Sequence, residues 1–183
     1  MANLKVPVGP ADHIEGDDNA PVTLVEYGDY ECPHCGHAHP IVQAVRKHFG
    51  KQLRFVFRNF PLTQIHPHAE MAAEAAEFAG GKGKFWEMHD AIFENQTRLG
   101  MPLLTQLATK LGLSADELTT SVAKHEYLQR IKDDFMGGVR SGVNGTPTFF
   151  LNGERYEESW EFEDLVAAIE EQLEQRGGRR RAS

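Results

Sequence analysis

Cys32-Pro33-His34-Cys35 holds the only two cysteines of the chain. A disulfide that staples a small fold gains most when it closes a long loop. A bridge across two intervening residues closes almost none, so this spacing serves chemistry. A dithiol and a disulfide can interconvert there with little backbone movement. The thiolate is the nucleophile in such exchange, and an ordinary thiol with a pKa of about 8.5 is mostly protonated at neutral pH. Cys32 directly precedes a helical segment, whose unpaired N–H groups and dipole favour its anion. His34 offers the same sulfur a charge or a hydrogen bond. Thiols in such settings fall to roughly 3.5–7.5. Cys35, about one turn deeper, is expected to be the less exposed. Cys32 is thus expected to attack and form the mixed disulfide, and Cys35 to resolve it.

Two other uses of the pair stand beside this one. A zinc site takes four ligands and the pair supplies two, although His34, His37 and His39 are near enough to complete a set. The thiols could also be structural or idle. The strand-tetrad-helix context favours redox work, and no metal is expected.

The elements that must hold the pair follow from periodicity. Residues 1–20 read as an irregular lead-in ending in the turn Asp17-Asp18-Asn19-Ala20-Pro21. Val22 to Tyr27, apolar on both faces, predicts a central buried strand, and Gly28 to Glu31 a loop. Pro33 suits a first helical turn, and Ile41, Val42, Val45 and Phe49 keep one helical face apolar until Gly50 ends it. Leu53 to Arg58 predicts a second strand, parallel to the first through a right-handed crossover. Helical spacing then recurs five times: Ala69/Ala72/Ala73/Ala76, Phe85/Met88/His89/Ile92, Leu104/Leu107/Ala108/Leu111, Leu118/Val122 behind the capping box Ser114–Glu117, and Leu128/Ile131/Phe135/Val139. Thr146 to Leu151 reads as a strand, Asn152-Gly153 as a hairpin turn into Glu154-Arg155-Tyr156, and Phe162, Leu165, Val166, Ile169 and Leu173 as a closing helix. The fold class is α/β: a mixed sheet flanked by helices, with an all-helical insertion. Trp86 and Trp160 read as packing residues, and His89 as a satisfied core histidine.

With 183 residues, 40% hydrophobic and 25% charged, the chain suits one domain, and a net charge of −8 argues against a nucleic-acid surface. The basic end, Gly177-Gly178-Arg179-Arg180-Arg181, reads as frayed. No apolar run approaches the ~18 residues of a membrane span, and the first residues lack the pattern of a secretory signal. The expected compartment is a bacterial cytoplasm, or the periplasm or exterior if a signal was removed.

The tetrad after a strand, with Gly145-Thr146-Pro147-Thr148-Phe149 far downstream, resembles the thioredoxin superfamily. The helical block between them is similar to the DsbA-like branch of thiol-disulfide oxidoreductases. Val25 to Glu31, Arg58 to Leu62, His66 to Ala69 and Lys84 to Asp90 resemble a bacterial subgroup whose domains also occur fused to sodium/proton antiporters. The likeness covers about residues 13–174. It implies a cis-proline at Pro147 beside the disulfide, with the Thr146 backbone free to pair with an extended substrate. It implies that Glu26 is a buried acid with a raised pKa, able to take the proton of Cys35. It makes His34 the residue that tunes redox potential. His66 and His68 could face the cysteine surface or cap the following helix.

The resemblance implies a single DsbA-like domain over 1–183. Its thioredoxin-like portion is 13–61 and 142–176, its helical insertion 62–141, and its disordered basic tail 177–183. Catalytic roles fall to Cys32, Cys35, His34 and Glu26, and substrate binding to Pro33, Thr146 and Pro147. No cofactor beyond the redox disulfide is required. The implied partners are protein or peptide thiols and disulfides, with a thioredoxin- or glutathione-type system to reset the pair. A redox-sensing binding module with little turnover is one alternative. A glutathione-linked transferase or isomerase is another, though such relatives typically lose the cysteine pair.

Overall fold

A computed structural model describes residues 3–181. Its sheet has five strands in the order β1-β3-β2-β4-β5: β1 (His13–Glu15), β2 (Val22–Gly28), β3 (Leu53–Asn59), β4 (Thr148–Leu151) and β5 (Glu154–Tyr156). β2 runs parallel to β3, from Val22 opposite Leu53 to Gly28 opposite Asn59. The other three pairings are antiparallel. β2 is therefore central, which is why it is apolar toward both faces. Side chains alternate across a strand. Val22 and Leu24 enter the larger core, under α1 (Pro33–Phe49), while Val25 and Tyr27 enter a smaller core on the opposite face. Glu26, two residues past Leu24, shares the face that α1 covers.

Between β3 and β4 lie α2 (Ala69–Gly81), α3 (Phe85–Glu94), α4 (Met101–Lys110), α5 (Ala115–Ala123) and α6 (Leu128–Arg140). The Ser114 side chain accepts the Glu117 N–H at 3.2 Å and caps α5. α6 crosses the smaller core on Gly137 and Gly138. A Cβ at Gly138 would lie 2.8 Å from the Phe60 ring and 3.0 Å from the Tyr27 ring.

Two expectations are corrected. The lead-in is not wholly irregular: β1 pairs with β3, and Leu4 and Val8 pack on the smaller core. A three-residue strand is too short to show a period, and its partner is distant in sequence. The basic end does not fray at Gly177, because α7 (Phe162–Arg181) continues through it. Glycine costs only about 1 kcal/mol in a helix. Residues 182 and 183 of the expected tail lie outside the described residues.

Candidate active site

β2 delivers the chain to Asp29 at the end of the sheet, and α1 starts four residues later. Cys32 is the N-cap, extended at φ −69° and ψ 121°, with Pro33 in the first turn. Its carbonyl accepts the Gly36 N–H at 3.1 Å. Both cysteines are free thiols, 4% exposed at Cys32 and 0% at Cys35. The Cys32 pKa is lowered to about 5. The first cause is a hydrogen bond from the Cys35 thiol. The Thr146 side chain and the backbone N–H groups of Cys35 and His34 add to it, and together they outweigh burial. Cys32 Sγ also lies 3.4 Å from the Thr146 carbonyl. A carbonyl only accepts, so this contact alone favours the protonated thiol, and the several donors outweigh it. Burial pushes the Cys35 thiol well up, and its bond to Cys32 and the Glu26 charge raise it further. One helix start thus holds two thiols of opposite acidity.

Glu26 is 3% exposed, and its Oε1 has no hydrogen-bond partner. Burial, then the charge on Cys32, raises its pKa to about 8. At neutral pH it is mostly protonated, with a minor ionised fraction that can accept a proton, and it lies within electrostatic reach of both sulfurs. The Thr146–Pro147 peptide bond is cis. β4 begins one residue past Pro147, so Thr146 lies outside the sheet ladder. Pro33 and His34 are exposed. His34 serves the Cys32 sulfur through its backbone N–H. Its ring projects from the first turn of α1 toward solvent.

The family model described as Thioredoxin matches residues 9–171. The chain belongs to the thioredoxin family. Among solved structures, this thioredoxin-family chain is similar to oxidised BdbD from Bacillus subtilis, with a TM-score of 0.81 and 25% identity over 89% of this chain and 93% of that one. Wolbachia pipientis alpha-DsbA1 shares the fold, with a TM-score of 0.82 and 19% identity over 96% of this chain and 97% of that one. The arrangement is the DsbA-like form of the thioredoxin fold. Among curated proteins, the chain is 46% identical over 170 residues to Na(+)/H(+) antiporter NhaA 1 of Salinispora arenicola, covering 92% of this chain. It spans about a quarter of that relative's length, 26%. No described helix here is long and apolar enough to cross a membrane.

Sequence alone missed three residues that shape this thioredoxin-family site. Asp29 is buried and accepts four hydrogen bonds. Oδ1 takes the N–H groups of Glu31 at 2.7 Å and Cys32 at 3.2 Å, while Oδ2 takes Leu62 N–H at 2.8 Å and pairs with His66 Nδ1 at 2.8 Å. Glu31 binds the backbone N–H and Nδ1 of His68. The two histidines therefore anchor the loop before α2 to the loop before α1. Gln96, between α3 and α4, donates from Nε2 to the carbonyls of Tyr30 at 2.9 Å and Cys32 at 2.8 Å. An Asp three residues before a helix N-cap is a readable turn signal. A glutamine 64 residues away carries no such signal.

Proposed function

We propose that the protein is a thiol-disulfide oxidoreductase acting on protein or small thiols and disulfides through Cys32 and Cys35. The observation that carries this reading is the placement of the two free thiols, Cys32 at the N-cap of α1 and Cys35 fully buried one turn deeper. In the reducing direction, the Cys32 thiolate attacks a substrate disulfide, forming one S–S bond and expelling one substrate thiolate. Cys35 passes its proton to ionised Glu26 and attacks Cys32 Sγ, releasing the second substrate thiolate. Two electrons have moved from the pair to the substrate, and Cys32–Cys35 is a disulfide. The oxidising direction is the reverse, with neutral Glu26 protonating Cys35 as it leaves. The exposed rim of Pro33, with Thr146 and Pro147 opposite, is where an extended substrate segment would lie. No metal or organic cofactor enters these steps, and a glutathione- or thioredoxin-type couple would reset the pair.

Stabilising the Cys32 thiolate favours the dithiol, so the disulfide should be oxidising. Its potential should lie nearer about −120 mV than about −270 mV. In a cytoplasm the pair would rest as the dithiol, and in an oxidising compartment as the disulfide. Dithiothreitol-driven reduction of a protein disulfide tests the reading. Wild type should turn over, Cys32→Ser should fall to background, and Cys35→Ser should stall after one attack. Full activity in Cys32→Ser would end this reading.

A further inference from the structure

Deeper along α1, three metal-ligating side chains meet where that helix packs on α3. His39 lies one turn past Cys35, and His89 and Asp90 are neighbours on α3. His39 is 7% exposed and His89 2%. His39 Nε2 and Asp90 Oδ1 stand 3.5 Å apart, both are buried, and neither has a hydrogen-bond partner. One ligand atom from each of the three residues lies within 4.8 Å of the others. Buried polar atoms without partners are uncommon and costly. We propose that His39, His89 and Asp90 form a site for a borderline divalent cation of the Zn2+ class, bridging α1 and α3 and separate from the cysteine pair.

The geometry and the donor chemistry agree. Tetrahedral zinc with bonds near 2.0–2.1 Å sets its ligand atoms about 3.4 Å apart. The His39–Asp90 separation already matches, and Asp90, 36% exposed, has freedom to close on His89. Two imidazoles and one carboxylate suit Zn2+ better than Ca2+ or Mg2+, which take oxygen ligands. Asp90 lines an open cleft of about 450 Å³ with Glu15, Gln43 and Arg46, which gives a cation a way in. Arg46 and Lys47 are the opposing charges there, and Arg46 is ion-paired with Glu15. Three protein ligands leave a fourth position for water.

The site also has an outer shell. His89 Nδ1 pairs with Tyr30 Oη at 2.9 Å, and Tyr30 is two residues from Cys32. Such outer partners orient a ligating imidazole. A bound cation would thus tie α3 to the helix and loop that carry the redox pair. The sequence reading expected no metal, and this candidate site lies apart from the cysteine pair. His89 is satisfied at Nδ1, whereas His39 Nε2 is not.

The test must silence the thiols, which themselves bind zinc. In the full chain carrying Cys32→Ser and Cys35→Ser, calorimetric titration with Zn2+ should show one equivalent bound. Co2+ should give the visible absorption of a four-coordinate site. Adding Asp90→Asn or His39→Gln should weaken binding at least about tenfold, since even outer-shell changes cost that much. Asp90→Asn keeps the size of a partly exposed side chain, so it decides the matter if His39→Gln does not fold. No binding by the folded parent, or binding that Asp90→Asn leaves unchanged, would overturn the proposal.

Discussion

Two buried groups beside the redox pair pull stability in opposite directions as pH changes. The Glu26 pKa is raised from 4.5 to about 8, so its contribution is complete below 4.5 and is lost as pH rises through 8. The Cys32 pKa is lowered from 9.0 to about 5, so its contribution is present above 9 and is lost as pH falls through 5. Between pH 5 and 8 the two slopes oppose in the reduced protein. Urea unfolding under reducing conditions should therefore separate three proteins. Relative to wild type, Glu26→Gln should gain stability as pH rises across that window, and Cys32→Ser should lose it, each by up to about 4 kcal/mol. Parallel curves for all three would mean that neither group is perturbed as described. Both residues were legible in the sequence, one as a thiol at a helix start and the other as an acid in an apolar strand. Asp29 was readable in kind but not in importance. Two of its four bonds go to Leu62 and His66, across more than 30 positions.

At the scale of elements, periodicity predicted the seven α-helices and the three longer strands, because each long element buries a stripe at its own spacing, and the Asn152-Gly153 turn announced β5. β1 escaped for want of length, and the basic end continued as helix where composition suggested fraying. The closeness of α6 to the sheet was also hidden, since a Gly-Gly pair inside a helical pattern does not say what it faces. Ala normally stabilises a helix over Gly by about 1 kcal/mol. At Gly138 the sign should reverse. A Cβ there meets the buried Phe60 and Tyr27 rings, and overpacking costs about 1–3 kcal/mol. Chemical denaturation of Gly138→Ala checks this, and an unchanged or raised midpoint would contradict the packing. Gln96 does comparable work for the active-site loop. Gln96→Ala removes two hydrogen bonds worth about 1 kcal/mol each. Amide exchange in residues 29–36 should quicken, while exchange in β2 and β3 stays slow. Equal quickening throughout would show that Gln96 supports the whole fold rather than the loop.

Across the whole molecule, the site is a meeting of three distant stretches. The helix start supplies Cys32, the helical block reaches back with Gln96, and the segment before β4 places the Thr146 carbonyl 3.4 Å from the sulfur. Motifs announced the first and third stretches, and nothing local announced the second. The antiporter relatives carry a matching segment of about a quarter of their length. What unites the present chain is the division of labour between its two thiols, and one trapping experiment addresses it. Cys35→Ser, incubated with a disulfide-bonded peptide and analysed by mass spectrometry, should accumulate one peptide per protein, attached at Cys32. Cys32→Ser should form no stable adduct, because its remaining thiol is buried and protonated. An adduct on Cys35, or none on Cys32, would contradict the assignment of Cys32 as the attacking thiol.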